Sequence, residues 1–147
     1  MSRNPLSLLY VFIQALLLAY LFLSGSVLPE NILVGIILLA GVLLGLWAIM
    51  TMKITAVQIT ADVAPDANLI TDGPYEFIRH PMYTAVLIVA AGLIINDYTV
   101  PRLLAFILLT FDLLLKASYE ERLLVKYFKK GYEDYKKKTK RFIPFIW

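Results

Sequence analysis

The chain has 147 residues, the length of one domain, and a formal net charge of +3. Hydrophobic residues make up 60% of it, above the about 45–50% of an ordinary soluble domain, and the excess lies in four long apolar blocks. With no cysteine and one histidine, the chain excludes disulfides and a cysteine nucleophile and disfavours a zinc site. The composition predicts an all-α, polytopic membrane helical bundle that forms a single domain over residues 1–147.

Two apolar blocks open the chain, and each is long enough to cross a bilayer, which takes about 17–25 residues. We predict the first span at about 6–27. A cleaved signal peptide is the alternative, because small residues follow at 24–26, but the apolar block is longer than a signal-peptide core of about 7–15 residues. We predict the second span at 32–52, where Gly41 and Gly45 favour close packing against another helix of the same chain.

A polar connection, residues 53–78, follows the second span. Its first part, 54–61, can continue the helix, whereas the Asp and Pro residues of 62–66 break it. Two shorter apolar blocks then predict spans at about 81–97 and 101–119. A tight turn joins them, so they form a C-terminal antiparallel helical hairpin.

Basic residues set the predicted orientation. Ten of the 14 Lys and Arg residues lie from Lys116 onward, and Arg102 alone falls on the opposite side in a four-span arrangement. The positive-inside rule therefore places both termini and the 53–80 loop in the cytoplasm. Past the fourth span, the helix is expected to continue as an amphipathic cytoplasmic tail, and the aromatic segment 142–147 is expected to anchor at the membrane surface.

The stretch from Gly73 to Tyr83 contains the single histidine of the chain. Its Gly-Pro start is typical of a turn, and Pro81 suits the first position of a helix. Arg79 and His80 would then lie at a helix N-terminus, whose free N–H groups and dipole favour an anion. In so apolar a chain, this polar cluster has no evident packing reason and is the first candidate site.

Charged residues also interrupt the fourth block. Asp112, Lys116 and Glu120 recur every four residues, and we predict a structural Asp112–Lys116 ion pair, so that Asp112→Asn would lower thermal stability. Glu120 and Glu121 point about 100° apart on a helix, so at least one must face a cation or a donor-rich ligand. Counting residues along the hairpin brings His80 and Glu120 to the same level within about 3 Å.

Three motifs follow one another in the C-terminal part: Arg79-His80-Pro81-Met82-Tyr83, Glu120-Glu121 and Phe142-Ile143-Pro144. Together with Gly73-Pro74-Tyr75, they make residues 53–147 resemble the isoprenylcysteine carboxyl methyltransferase superfamily of small integral membrane methyltransferases, which includes phospholipid N-methyltransferases. The resemblance implies methyl transfer from S-adenosyl-L-methionine, with residues 53–147 holding the cofactor on the cytoplasmic side. The acceptor would arrive laterally from the bilayer.

The resemblance also implies the roles of individual residues. His80 and Tyr83 would contact the cofactor, and the two glutamates would close its pocket. The charges suit this cofactor, because a carboxylate can bind its ammonium, Arg79 or His80 its carboxylate, and a tyrosine ring its sulfonium. The expected cofactor-binding residues are Gly73, Tyr75, His80, Pro81, Tyr83, Glu120 and Glu121, with Arg79 and Glu121 as catalytic residues and no metal.

Two positions depart from the pattern of the family. Ala85 stands where many members have glycine, which narrows the local space by one methyl group. Lys129 replaces a common glycine after Phe128, and this replacement should extend the helix. We also expect His80→Ala and Glu121→Gln each to weaken cofactor binding by about 1.5–3 kcal/mol without loss of folding.

The methyl acceptor stays open between an isoprenylcysteine carboxylate, a phospholipid amine and a small thiol or other lipophilic molecule. The expected partners are membrane lipids and a lipophilic or lipidated substrate, without nucleic acid, and the oligomeric state is open. One alternative is a non-enzymatic membrane scaffold whose basic tail binds anionic lipid. The other is a nicotinamide-dependent membrane reductase, although few basic residues near Arg79 could bind a 2′-phosphate.

Overall fold

The computed structural model describes residues 5–52 and 68–144. Within these ranges the chain is helical, without a strand, and an isolated bridge pairs Ile78 with Lys140. The all-α prediction is therefore confirmed, whereas the predictions for residues 54–66 and for the terminal aromatics 145–147 lie outside the described residues. In chain order, the elements are α1 (Pro5–Leu23), α2 (Ile32–Met52), a 3₁₀ turn (Gly73–Glu76), α3 (Pro81–Asn96), α4 (Val100–Phe128) and α5 (Lys130–Lys138).

The first four helices lie at the apolar blocks identified in the sequence, with two large differences at their ends. Helix α1 ends at Leu23 instead of residue 27, because the Ser-Gly-Ser sequence that follows favours turns over helix. Helix α4 runs to Phe128, well past residue 119. Thr99 caps its start, since its side chain accepts a hydrogen bond from the Arg102 N–H at 3.4 Å.

The outer faces of the helices are apolar. Helices α1 and α2 are long and apolar enough to cross a membrane, whereas α3 is apolar but has 16 residues. Large apolar side chains lie exposed along α1 and α2, and also along α4 at Leu104, Leu108 and Phe111. A water-soluble domain would bury such faces. This surface suits lipid, and the all-helical architecture is consistent with a membrane helical bundle.

Helix α3 lies at the centre of the bundle. It packs most extensively against α2, and it also contacts α1 and α4. A Cβ atom at Gly41 would come within 2.7 Å of the Val89 side chain, and one at Gly45 would lie 3.4 Å from Ala85. The two glycines therefore serve packing within the chain, as predicted. Gly45 also accommodates the extra methyl group of Ala85.

The prediction that Lys129 extends the helix is wrong. Lys129 has φ 50° and ψ −126°, and its N–H bonds the Val125 carbonyl at 2.9 Å, which closes α4. Helix α5 starts at the next residue in a new direction. The break lets α5 fold back and bury Tyr132 and Tyr135, which an uninterrupted helix would leave beyond the bundle. Burial of these rings outweighs the local preference of lysine for helix.

We expect Lys129→Gly to stabilise the protein by about 1 kcal/mol, because glycine adopts positive φ without the steric penalty of a Cβ atom. Thermal unfolding in detergent measures the effect. The matched control is Lys130→Gly at the start of α5, where lysine is helical and glycine should destabilise. A lower melting temperature for Lys129→Gly would contradict this interpretation of the break.

Candidate functional site

The turn Gly73–Glu76 opens the candidate site. Gly73 has φ +58°, and a Cβ atom there would come within 2.6 Å of the Thr51 hydroxyl and 3.2 Å of the Trp47 indole nitrogen, so a side chain is excluded at the end of α2. The turn buries Tyr75, whose carbonyl accepts a hydrogen bond from the Tyr135 hydroxyl at 2.7 Å. Through Gly73 and Tyr75, the turn thus contacts both the end of α2 and α5.

Residues 139–142, which we call the C-terminal strap, lie alongside residues 77–80. The Arg79 N–H donates to the Lys140 carbonyl at 2.8 Å, and the His80 N–H donates to the Arg141 carbonyl at 3.2 Å. The Lys140 N–H returns a bond to Phe77 at 3.1 Å. This short pairing holds the strap against the start of α3 and brings Arg141 beside His80.

Glu121 is the centre of a buried cluster of charges. Its carboxylate lies 2.9 Å from Arg79 Nε, 2.9 Å from Arg141 Nη2, 3.3 Å from His80 Nε2 and 3.4 Å from Lys136 Nζ. The side chain is 4% exposed. Burial by itself would raise the pKa of Glu121, but hydrogen bonds from His80, Arg141 and Arg79 outweigh it and hold that pKa well below its usual range. One glutamate of the pair therefore faces cations, as predicted.

Among the described residues, Arg79 makes all of its side-chain hydrogen bonds within the same cluster. Besides Glu121, its guanidinium donates from Nη1 to the Thr139 carbonyl at 2.5 Å and to the Lys136 carbonyl at 3.4 Å. These contacts tie the strap and the end of α5 to the turn before α3. The catalytic role expected for Arg79 and Glu121 stays a prediction; the two side chains contact each other and residues 136–141, and Glu121 also contacts His80.

Glu120 faces a different environment. Its Oε2 accepts a hydrogen bond from the Tyr83 hydroxyl at 2.9 Å and lies 3.6 Å from His80 Nδ1. The rings of His80 and Tyr83 stack with centroids 5.2 Å apart and planes 5° apart. The Glu120 side chain is 28% exposed, so this carboxylate is accessible while Glu121 is enclosed. These contacts confirm the prediction that the hairpin brings His80 level with Glu120.

The predicted Asp112–Lys116 ion pair is wrong. Lys116 Nζ donates to Gln14 Oε1 of α1 at 3.0 Å and lies 5.1 Å from the centroid of the Tyr83 ring. In the part of the chain that the structure describes, Asp112 joins no ion pair, and its buried Oδ2 has no hydrogen-bond partner. A long, flexible lysine side chain can reach the neighbouring helix, which helical spacing alone does not reveal.

The sequence did not predict that Lys136 and Arg141 belong to this cluster. The basic run 136–141 was assigned to the cytoplasmic surface, yet Lys136 and Arg141 point inward to Glu121. The one sequence signal for their position was the pair of adjacent carboxylates at 120 and 121, which requires a cation from another part of the chain.

A cavity of about 530 Å³ lies beside the cluster. Of the expected cofactor residues, it is lined only by Glu121. Its lining residues are Tyr10, Leu115, Ser118, Glu121, Arg122, Val125, Lys136 and Arg141.

Comparison with known proteins identifies the family. The family model described as phospholipid methyltransferase matches residues 30–131, well over half of the chain. The chain belongs to the phospholipid methyltransferase family. The match includes α2, the turn, α3 and α4 with both glutamates, which are the elements that form the candidate site.

Curated relatives of this family member carry methyltransferase names. Protein-S-isoprenylcysteine O-methyltransferase of Schizosaccharomyces pombe is 35% identical over 83 residues, which cover 55% of this chain and 35% of that protein. A probable protein-S-isoprenylcysteine O-methyltransferase of Oryza sativa subsp. indica is 36% identical over 80 residues, covering 54% and 42%, and the subsp. japonica protein matches equally. The matched region thus spans less than half of each relative.

Proposed function

We propose that this member of the phospholipid methyltransferase family transfers the methyl group of S-adenosyl-L-methionine to an acceptor that arrives from the bilayer. The observation that carries the proposal is the meeting of the His80 and Tyr83 side chains with the accessible carboxylate of Glu120 at an end of an apolar bundle. The names of the family and of the curated relatives agree with methyl transfer. The acceptor remains a carboxylate, an amine or a thiol at this stage.

The residues present suit this cofactor. Its sulfonium would supply an electrophilic methyl group, and its ammonium would bind the accessible carboxylate of Glu120. The stacked rings of His80 and Tyr83 offer a face for a cation. The hydroxyl of Tyr132 is buried and has no hydrogen-bond partner among the described residues, so a further acceptor beside the cluster would satisfy it.

The enclosed cluster would keep these groups in position. Glu121 holds the guanidinium groups of Arg79 and Arg141, and through them the strap, against the start of α3. Since methyl transfer depends on aligning two reactants, a rigid frame contributes directly to the rate. We infer that Arg79 and Glu121 act by this positioning, and that Glu120 and His80 contact the cofactor.

We further propose four spans with both termini and the site on the cytoplasmic side. The exposed apolar side chains of α4 support a membrane position for its first half. The basic residues of α5 and the strap lie at the same end as the site, which the positive-inside rule assigns to the cytoplasm. In this arrangement, a water-borne cofactor and a lipid-borne acceptor reach the site from different directions.

We expect Glu120→Gln and His80→Ala each to weaken S-adenosyl-L-methionine binding by about 1.5–3 kcal/mol, the scale of a lost charge-assisted hydrogen bond. Calorimetric titration into detergent-purified protein measures the dissociation constants. The matched control is Asp134→Asn, which alters an exposed carboxylate on α5 and should bind as wild type does. A wild-type protein that does not bind this cofactor, or a Glu120→Gln variant that binds it normally, would refute the assignment.

The two alternatives receive less support. A lipid-binding scaffold has no need for the buried cluster in which Lys136 and Arg141 contact Glu121, although other lysines of the basic run are exposed. A nicotinamide-dependent reductase finds no counterpart in the family match. Binding of S-adenosyl-L-methionine by the purified protein separates both alternatives from the proposal.

A further inference from the structure

The cavity of about 530 Å³ beside the charged cluster is separate from the proposed cofactor contacts, because none of His80, Tyr83 and Glu120 lines it. Its walls come from α1, α4, α5 and the C-terminal strap. The volume falls within the about 300–1,000 Å³ that is usual for small-molecule sites. A ligand in this cavity would contact four separate parts of the chain and would hold them together.

Positive charge is in excess around this cavity. Its lining contains three cations, namely Arg122, Lys136 and Arg141, and one carboxylate, Glu121, which leaves a net charge of +2. Glu121 lies 2.9 Å from Arg141 and 3.4 Å from Lys136, and it also pairs with Arg79, which is outside the lining. One negative charge is thus divided among several cations. An anion in the cavity would reduce the repulsion that remains between them.

Arg122 is the cation of this lining that has no acceptor. Among the described residues, it joins no ion pair and makes no side-chain hydrogen bond. The positions three and four residues away on α4 contain no acid that could neutralise it. A guanidinium group can bind a phosphate through two parallel hydrogen bonds. Arg122 is therefore suited to a phosphate ligand.

The cavity lies where the apolar outer face of the bundle meets its basic end. Leu115, which lines the cavity, is 41% exposed and follows Phe111 along the apolar face of α4. Arg122 comes two turns later on the same helix. Tyr10 of α1 also lines the cavity, and its ring lies 6.3 Å from that of Tyr119. Tyrosines beside basic residues are typical of the membrane–water interface, which is the depth of lipid phosphates.

We propose that this cavity binds the phosphate group of an anionic membrane lipid. Arg122 and Lys136 contact the phosphate, and the acyl chains lie along the exposed apolar face of α4 beside Leu115. A zwitterionic lipid fits less well, because its ammonium group would add a positive charge to a lining that already has an excess. The lipid is a bound ligand and not a methyl acceptor, so the inference goes beyond the proposed function.

The bound lipid would stabilise the C-terminal part of the chain. Lys136 belongs to α5 and Arg141 to the C-terminal strap, whereas Arg122 belongs to α4, and all three line one cavity. A phosphate among them replaces repulsion by attraction between these segments. We therefore expect the anionic lipid to raise the melting temperature and to slow proteolytic cleavage within the strap.

Thermal unfolding of delipidated protein in detergent tests the class of ligand. Phosphatidylglycerol added to the micelles should raise the melting temperature, and the same amount of phosphatidylcholine should have a much smaller effect. Inorganic phosphate supplies the anion without acyl chains, and at millimolar concentration it should leave the melting temperature unchanged. Equal shifts with the two lipids would overturn the proposal, and so would a shift with inorganic phosphate as large as that with phosphatidylglycerol.

Arg122→Gln tests the site itself. It should weaken phosphatidylglycerol binding by about 10-fold or more, the scale of a lost hydrogen bond between charged groups. The ligand-free variant should fold as wild type does, because Arg122 is exposed. The matched control is Lys138→Gln, which removes a positive charge from an exposed position of α5 outside the lining. Native mass spectrometry, which counts bound lipids, measures both affinities. Unchanged affinity in Arg122→Gln, or an equal loss in Lys138→Gln, would overturn the proposal.

Titration of S-adenosyl-L-methionine separates this cavity from the proposed cofactor site. Arg122→Gln should bind the cofactor as wild type does, and Glu120→Gln should retain its affinity for phosphatidylglycerol. A loss of cofactor affinity in Arg122→Gln would assign the cavity to the cofactor and overturn the proposal. Because lipid binding is measured without cofactor, a wild type that does not bind S-adenosyl-L-methionine would reject the proposed function alone, and the shift with phosphatidylglycerol is still expected.

Discussion

Replacing Glu121 by glutamine should destabilise the protein by about 3–5 kcal/mol, the usual cost of removing one partner from a buried ion pair. The carboxylate is 4% exposed and neutralises the guanidinium groups of Arg79 and Arg141, both at 2.9 Å. Glutamine keeps the shape but leaves these cations without a counter-charge. Chemical unfolding in detergent measures the loss, and limited proteolysis should show faster cleavage within the C-terminal strap.

Glu120→Gln is the matched control for this experiment. It makes the same chemical change one residue earlier, at a carboxylate that is 28% exposed and bonded to Tyr83. We expect a small change in stability and a large one in cofactor affinity, the reverse of the pattern for Glu121. Equal stability losses in the two variants would show that the enclosed cluster contributes nothing specific.

The pH dependence of unfolding gives a second measurement on Glu121. Its pKa is held below the ordinary value of 4.5 despite burial, so the folded state binds the proton less readily than the unfolded chain. Its contribution is therefore fully present above that ordinary value and is lost as the pH falls toward the lower folded pKa. The stability gap between wild type and Glu121→Gln should be constant near pH 7 and narrow on acidification below about pH 4.5.

These expectations revise the sequence-based view of Glu121. The sequence predicted that His80 and Glu121 could be replaced without loss of folding, since neither lies on an apolar packing face. Both side chains are buried in the structure, Glu121 at 4% and His80 at 6% exposure. A buried polar cluster supports folding through hydrogen bonds instead of apolar contact, and hydropathy patterns do not report it.

Local signals were sufficient for the helices and for the meeting of the two motifs. Apolar runs, Pro81 and the turn before Pro101 define a hairpin, and the constant rise of a helix then sets His80 level with Glu120. The arrangement of Gly41 and Gly45 was also predictable, because small residues at this spacing allow close helix packing. All of these inferences depend on neighbours in sequence or on helical periodicity.

The remaining features depend on contacts between distant parts of the chain. The strap meets residues 77–80 across about 60 positions, and nothing in the basic run shows that Arg141 turns inward. Lys116 bonds Gln14 of α1 instead of Asp112 four residues away. Lys129 adopts positive φ because burial of Tyr132 and Tyr135 requires the chain to turn. In each case, contacts between distant parts of the chain outweigh the local preference of the sequence.

The opposite end of the bundle contains another buried cation, Arg102, which is 1% exposed. Its guanidinium donates to the Leu21 carbonyl at 3.1 Å, the Ser24 hydroxyl at 3.0 Å and the Leu93 carbonyl at 2.8 Å. It thereby joins the end of α1 to the end of α3. Asn96 adds to this end, since its side chain donates to the Leu28 carbonyl at 2.8 Å.

We expect Arg102→Leu to lower the unfolding free energy by about 3–4 kcal/mol, because two buried carbonyls and the Ser24 hydroxyl lose their donor together. Arg102→Lys should recover only part of this, since an ammonium lacks the planar fork that reaches α1 and α3 at once. Thermal unfolding in detergent measures both. Because Arg102 and Glu120 are 18 residues apart, or about 27 Å along α4, folded Arg102→Leu should bind S-adenosyl-L-methionine as wild type does. A variant with unchanged stability but weakened cofactor binding would mean that Arg102 acts on the site instead of closing this end of the bundle.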